Sequence, residues 1–334
     1  MGRIDMKLII QIPCFNEEGT LAATVADLPV SLAGVDEIEY LVIDDGSTDG
    51  TAAAARRLGV NHIVGYPNNR GLAHAFSAGI DACLRLGADI IVNTDADNQY
   101  CGADIEKLIA PILSKRAAIV IGERPISDIE HFSKQKKRFQ KFGSFVVRVA
   151  SGTDVPDAPS GFRAYTRAAA MRINVFNQYT YTLETIIQAG MNKIPITSVP
   201  IRTNPQTRQS RLFKSMWSYI RRSASVIVRS FMMYQPMKFF VSIGAAVGAV
   251  GLVFVIRFIV IAITDSPDGH IQSLVLSAMM IMVGAQFIVS GLQADIISAN
   301  RKILEDIQYR IKRQEYSAGK EDKEESAGPS KTDE

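Results

Sequence analysis

Two aspartates one residue apart, Asp95 and Asp97, follow directly on the apolar run Ile90-Ile91-Val92, with Gln99 two residues further on. A short β-rich run bounded by polar residues reads as a buried strand. Ligands of open α/β sheets gather at the carboxyl ends of strands. Two carboxylates and an amide oxygen at such an end form an all-oxygen donor set suited to Mg2+ or Mn2+, and an ion there can hold a diphosphate. Aspartates after strands also cap helices and close turns, so the pair gains meaning only from what accompanies it. The apolar run Lys7–Pro13 ends in Pro13-Cys14-Phe15-Asn16-Glu17-Glu18, and Glu39–Ile43 ends in Asp44-Asp45-Gly46-Ser47-Thr48-Asp49. Gly122-Glu123-Arg124 puts a guanidinium just past another strand end. Its planar fork suits a phosphate, although a surface salt bridge would use the same residue.

The elements that must hold these groups alternate. Strands are expected at Lys7–Pro13, Glu39–Ile43, Asn61–Tyr66, from Ile90, at Ala117–Gly122, Phe162–Tyr165 and Pro195–Arg202. Helices are expected at Glu18–Asp27, Thr51–Leu58, Leu72–Leu86, Ala103–Leu113 and Tyr179–Gly190. Strand–helix alternation at this spacing builds βαβ units and a mainly parallel sheet, so the polar clusters converge on one sheet edge. The chain has neither GxGxxG after the first strand nor GxxxxGK[ST], which argues against a dinucleotide oxidoreductase and a P-loop enzyme.

PxxNEE at Pro13–Glu18, DDGSTDGT at Asp44–Thr51, NxGxxxA at Asn69–Ala75 and DADNQ at Asp95–Gln99 resemble glycosyltransferase family 2. That resemblance implies the α/β, Rossmann-like GT-A fold. It assigns Pro13, Asn16, Glu17, Asp44, Asp45, Asn69 and Gly71 to the nucleotide sugar, with Asp95, Ala96 and Asp97 beside them. It gives Asp95, Asp97 and Gln99 to the metal. Asp157-Ala158-Pro159-Ser160-Gly161-Phe162-Arg163 resembles the DxxSGFR signature of the polyprenyl-phosphate branch, the dolichol-phosphate-mannose-synthase-like enzymes. There the aspartate lies near sugar and acceptor, so Asp157 is the candidate general base or acceptor-orienting residue, with Asp97 and Arg124 completing the catalytic set. Acceptor and phosphate contacts are expected from Arg124, Lys137, Ser160, Arg163, Arg208, Ser210 and Arg211. Residues 208–211 depart from the glycine-rich loop usual at that place in the family.

Of 334 residues, 47% are hydrophobic, and the apolar excess lies in residues 237–292. The net charge of +3 is too small to argue for nucleic acid, and three cysteines without CxxC spacing fit a reducing compartment. The apolar run before Pro13 is too short for a signal peptide. His131–Arg148 interleaves lysines and phenylalanines, and Arg211–Tyr234 is a second basic amphipathic stretch carrying Trp217; both suit an anionic membrane surface. Met237–Ile263 and Ser273–Leu292 are each long enough to cross a ~30 Å hydrocarbon core. Their connection has two aspartates and no Lys or Arg, while their outer flanks are basic. The positive-inside rule therefore puts both termini and the catalytic half in the cytosol, as in a bacterial inner membrane. Gly244-x-x-x-Gly248 permits close helix packing and so a homo-oligomer. The expected organisation is a GT-A domain over 1–203, a juxtamembrane region over 204–235, two spans within 236–300, and a charged tail over 301–334 that is disordered at its end.

The expected reaction is inverting transfer of one sugar from a nucleotide-sugar donor, a UDP-hexose by preference, to a polyprenyl phosphate at the cytosolic membrane face. Three other readings compete. A GDP-mannose-dependent enzyme would share every motif. A processive synthase of the family would carry QxxRW, but Trp217 follows Met216. A non-catalytic nucleotide-binding scaffold would have no need of Asp95, Asp97 and Asp157.

Overall fold

In the computed structural model the described residues are 6–125, 143–149, 151–176, 181–205, 231–264 and 271–326, with a few positions between 221 and 229. The chain divides into two units, residues 1–227 with 308–334, and residues 228–307.

The first unit is a seven-stranded sheet between helical layers. Its strands are β1 (Lys7–Cys14), β2 (Glu37–Asp44), β3 (His62–Gly65), β4 (Ile90–Asn93), β5 (Ile119–Glu123), β6 (Arg163–Thr166) and β7 (Ile196–Pro200). The sheet order is β3-β2-β1-β4-β6-β5-β7. β1, β2, β3 and β4 pair in parallel, as do β5 and β7. β6 runs antiparallel to both of its neighbours, β4 and β5. The sheet is thus mostly parallel, as expected, with one reversed strand. That reversal decides the site: it sets Arg163, the first residue of β6, opposite Asn93 at the end of β4 and Ile121 near the end of β5. The loop entering β6 therefore arrives at the same edge as the carboxyl ends of the parallel strands.

β1 is buried from Leu8 to Cys14 because helices cover both faces. Leu8, Ile10 and Ile12 pack with α1 (Glu18–Asp27), α2 (Thr51–Arg57) and α4 (Ile105–Leu113). On the opposite face α3 (Leu72–Arg85) lies along β1 and β2 and presents Ala73, Phe76, Ile80 and Leu84. α5 (Arg167–Arg172) packs beside α3, and α6 (Thr182–Met191) is buried along most of its length. Near β7, Asp104 accepts from the Arg202 backbone N–H and from its guanidinium, and pairs with Lys107. Burial alone would raise the Asp104 carboxyl; these donors outweigh it and hold it down at about 2.

In the second unit α7 (Pro236–Thr264) and the first part of α8 (Ile271–Ser326) are long and apolar enough to cross a membrane. Large apolar side chains such as Leu252, Val253, Ile256, Val275 and Met282 are exposed along them, an area far beyond what a water-facing surface carries. The two helices approach through glycines: a Cβ on Gly284 would stand 2.7 Å from the Gly244 carbonyl oxygen and 3.0 Å from the Gly248 nitrogen. The Gly244-x-x-x-Gly248 pattern is therefore used within the chain, and the oligomer expectation built on it loses that support. α8 also continues to Ser326; the Glu, Lys and Ala of its last part are good helix formers, and the end of the tail, 327–334, where disorder is expected, lies outside the described residues. The basic stretch over 131–142, most of the juxtamembrane stretch 211–230 and the polar connection 265–270 lie outside the described residues.

Two outcomes follow from this packing. The Asp104 contribution to stability is complete above its unfolded value near 4 and is lost as pH falls towards 2. Thermal unfolding of Asp104→Asn should accordingly show a lower melting temperature at pH 7, with the gap to wild type closing below about pH 3. Gly284→Leu should lower the melting temperature in detergent, at a cost of roughly 1–3 kcal/mol for overpacking.

Candidate active site

The polar clusters meet at the carboxyl edge of the sheet. After β1, Asn16 takes a left-handed backbone (φ 54°), and the turn is laced to the loop after β2. Asn16 N–H donates to Ser47 Oγ, Glu17 N–H to Thr51 Oγ1, and Thr48 N–H to Asn16 Oδ1. Asp44 Oδ1 accepts from Ser47 N–H. Asp45 is almost fully buried, and its two oxygens accept from Arg70 N–H at 2.9 Å and Gly71 N–H at 2.8 Å. Gly46 (φ 73°) lets the loop lie on Asn68–Asn69, whose backbone a Cβ there would strike. Pro13, Asn16, Glu17, Asp44, Asp45, Asn69 and Gly71 are thus brought into one interlocked floor, with Glu17 Oε2 accepting from Thr20 Oγ1.

The turn after β4 carries the two carboxylates. Thr24 Oγ1 donates to Ala96 O, and Asp97 Oδ1 accepts from Gln99 N–H. Burial and the neighbouring Asp97 charge push the Asp95 carboxyl up to about 7, against the pull of Arg124, Tyr100 and Arg163. Among the described residues no third His, Cys, Asp or Glu joins the pair as a metal-holding cluster. Two crowded carboxylates with Gln99 nearby fit a divalent ion, whose charge relieves their repulsion while substrate and water oxygens fill its other positions. The chain after β7 is anchored here too: Thr203 bridges to Tyr100, and Asn204 N–H donates to Gln99 O. Lys137, Arg208, Ser210 and Arg211 lie outside the described residues.

Opposite stands the loop entering β6. Asp157 is buried and grips Arg124 in a two-pronged pair, Oδ2 to Nε at 2.7 Å and Oδ1 to Nη2 at 2.9 Å, with Arg124 N–H also on Oδ2. Burial opposes the Arg124 charge, but Asp157, with Tyr100 and Asp95, holds its proton still more firmly. Arg163 does not reach this surface. It is fully buried, donating to Ser160 O, Ala158 O and Thr185 Oγ1. The expected contact between Arg163 and the acceptor phosphate is therefore corrected: reversed β6 carries its side chain inward, where it braces the 158–160 backbone. Ser160 is also buried, and its Oγ has no hydrogen-bond partner among the described residues. Tyr100, Asn93 and Tyr181, which the motifs did not single out, lie at the junction of the two loops. The signal was a polar Asn closing a buried apolar strand and an aromatic directly after the acidic turn.

The family described as Glycosyl transferase family 2 matches residues 9–173. The chain is 33% identical over 205 residues to an uncharacterized protein of Methanocaldococcus jannaschii, covering 59% of this chain and 81% of that one. It is 30% identical over 221 residues to the UDP-N-acetylglucosamine–dolichyl-phosphate N-acetylglucosaminyltransferase of Methanococcus voltae, covering 60% and 86%. It is 26% identical over 210 residues to the polyprenol monophosphomannose synthase of Mycolicibacterium smegmatis, covering 60% and 78%. Among solved structures, glucosyl-3-phosphoglycerate synthase from Mycobacterium tuberculosis, in complex with Mn2+, UDP and glucosyl-3-phosphoglycerate, superposes with a TM-score of 0.52 at 17% identity, over 68% of this chain and 79% of that chain. That likeness shows the GT-A fold alone. With four-fifths or more of two relatives covered at 30% identity or better, the chain belongs to glycosyl transferase family 2 and is a glycosyltransferase.

Proposed function

We propose that this protein transfers a single sugar, with inversion, from a nucleotide-sugar donor to a polyprenyl phosphate at the cytosolic face of a membrane. The observation that carries the reading is the meeting, at one sheet edge, of the Asp95–Asp97 pair with the Asp157–Arg124 pair across the Asp157–Arg163 loop. The names of the Methanococcus voltae relative, a dolichyl-phosphate N-acetylglucosaminyltransferase, and of the Mycolicibacterium smegmatis relative, a polyprenol monophosphomannose synthase, support the acceptor class. The two apolar helices support a membrane setting, and basic flanks around an acidic connection favour cytosolic termini.

In this reading the nucleotide lies over the floor formed by Pro13–Glu17, Asp44–Asp45 and Asn69–Gly71. The lipid phosphate oxygen attacks the anomeric carbon, and the bond to the diphosphate oxygen breaks with its electron pair leaving on the nucleotide. A divalent ion held by Asp95, Asp97 and Gln99 would neutralise charge on the departing diphosphate; Mn2+ accompanies UDP in the superposed synthase. Arg124 faces the acidic turn closely enough to stabilise Asp95 and is suited to a phosphate. Lys137, Arg208, Ser210 and Arg211 are assigned to phosphates on the acceptor or donor.

Asp157 suits an orienting role better than that of a base. Both its oxygens are committed to Arg124, and a lipid phosphate, with a second ionisation near pH 6, is already largely the nucleophilic dianion at pH 7. A UDP-hexose remains the preferred donor. GDP-mannose is the alternative, and the mannose synthase relative keeps it open.

Purified protein in detergent, given Mn2+ and a polyprenyl phosphate, should convert one of UDP-glucose, UDP-N-acetylglucosamine, UDP-galactose and GDP-mannose to a lipid-linked sugar detected by mass spectrometry. EDTA should abolish the product, and Asp97→Ala should cut turnover at least ~100-fold, a loss of several kcal/mol of charge stabilisation. Nucleotide binding with no product from any donor would instead favour the scaffold reading. The pH–rate profile separates the two roles of Asp157. With Asp157 orienting Arg124, Asp157→Asn should lower turnover by about tenfold yet keep the rise near pH 6 set by the lipid phosphate; a general base would cost ~10²–10⁴ and take the acidic limb with it.

A further inference from the structure

The turn that carries Asp95 and the loop that carries Asp157 are joined through the backbone of one residue, Gly161. Its N–H donates to the Tyr100 hydroxyl at 3.0 Å. Its carbonyl accepts from Asn93 Nδ2 at 2.8 Å and from the Tyr181 hydroxyl at 3.4 Å. Asn93 Nδ2 also donates to Tyr181 Oη at 2.9 Å, and Asn93 Oδ1 accepts from Gln11 Nε2 at 2.8 Å. Gly161 has no side chain to keep the two segments apart. A Cβ there would stand 3.0 Å from both Asp95 carboxylate oxygens and 3.1 Å from Tyr181 Oη. Asp95 thus lies directly against the Gly161 backbone.

Tyr100 is built to hold this junction. A phenol has one proton to donate and lone pairs to accept. Accepting from Gly161 leaves the hydroxyl proton for a carboxylate at this junction, and Asp95 lies against the same Gly161 backbone. The ring is buried and stacked on Phe162, centroids 4.9 Å apart and planes within 6°, one residue beyond Gly161. Tyr181 is clamped in the same way on Phe76, at 3.8 Å. Neither hydroxyl can swing away without unstacking its ring.

We propose that Tyr100 is a positioning residue, whose hydroxyl fixes the Asp95 carboxylate against Gly161 and so ties the pose of the metal-holding turn to that of the Asp157 loop. The inference rests on reading Asp95 and Asp97 as the metal pair. Groups that orient a ligating carboxylate affect metal affinity nearly as strongly as the ligands themselves, typically by ~10–100-fold. Loading of the metal and placement of the acceptor loop then become one event rather than two.

The test uses the full-length protein in detergent. Tyr100→Phe keeps the ring and its stack and removes only the hydroxyl. Mn2+-dependent UDP binding is measured by calorimetry, alongside the Mn2+ concentration giving half-maximal turnover and the melting temperature. Tyr100→Phe should need roughly 10–100-fold more Mn2+ on both measures, with a smaller loss of kcat once Mn2+ saturates. Gly161→Ala, which presses on Asp95 from the other side while keeping the hydroxyl, should shift the Mn2+ requirement in the same direction. A lowered melting temperature with an unchanged Mn2+ requirement in both variants would mean a purely structural role and overturn the inference. UDP binding by the wild type that ignores Mn2+, and is matched by Asp97→Asn, would overturn the metal reading and the inference with it.

Discussion

Two carboxylates one residue apart at a buried strand end repel each other, and the surrounding structure is arranged to keep them there. Burial and the Asp97 charge drive the Asp95 carboxyl towards protonation, while Arg124, the Tyr100 hydroxyl and Arg163 pull the other way. Each restraining group comes from a different segment: Arg124 follows β5, Tyr100 lies in the acidic turn, and Arg163 begins β6. Tyr100 and Arg124 follow β4 and β5, which run the same way and end at this edge, and Arg163 joins them because β6 is reversed. In an all-parallel sheet the start of the strand beside β4 would lie at the far edge, some 13–17 Å away for strands of this length, and the Asp157–Arg163 loop could not meet the acidic turn. The electrostatic balance of the site is therefore a consequence of sheet topology.

Much of this was legible in the sequence. β1, β2 and β4 announce themselves as apolar runs ending in polar clusters, and their parallel pairing follows from the helices between them. The direction of β6 did not announce itself. Four residues, RAYT, carry no periodicity, and pairing is a property of the partner strands. Arg163 was misread for the same reason. An arginine at the end of a signature motif looks like a phosphate ligand until the strand's direction turns it into the core, where it serves two backbone carbonyls and Thr185. Asn93 and Tyr181 were hidden by sequence distance, since their shared partner Gly161 lies 68 and 20 residues from them. The glycine pattern in α7 was visible; that its partner is Gly284 in the same chain was not.

The Asp157–Arg124 pair changes how acceptor activation is understood. Both oxygens of this buried carboxylate are engaged in a bidentate, charge-assisted pair, so its geometry serves to hold the guanidinium. In the proposed reaction a phosphate nucleophile needs no general base. It arrives already deprotonated, and what it lacks is a partner to bring its charge up to a diphosphate without repulsion. A fixed arginine beside the acidic turn meets that requirement, and the aspartate keeps it fixed. On the proposed reading, the residue type that would be a base for a hydroxyl acceptor acts here as a brace.

The nucleotide floor explains why the donor was harder to read than the fold. Both Asp45 oxygens are committed to the Arg70 and Gly71 backbone, Asp44 Oδ1 holds Ser47, and Asn16 Oδ1 holds Thr48. Much of the hydrogen-bonding capacity of the DDGS and PxxNEE signatures goes to locking three loops together. Residues used in this way serve the fold, whichever base is bound. Relatives of similar sequence differ in what they are named for: one for a UDP-N-acetylglucosamine donor, another for the synthesis of a mannose product. A signature that is strong evidence for architecture is, for that physical reason, weak evidence for the donor.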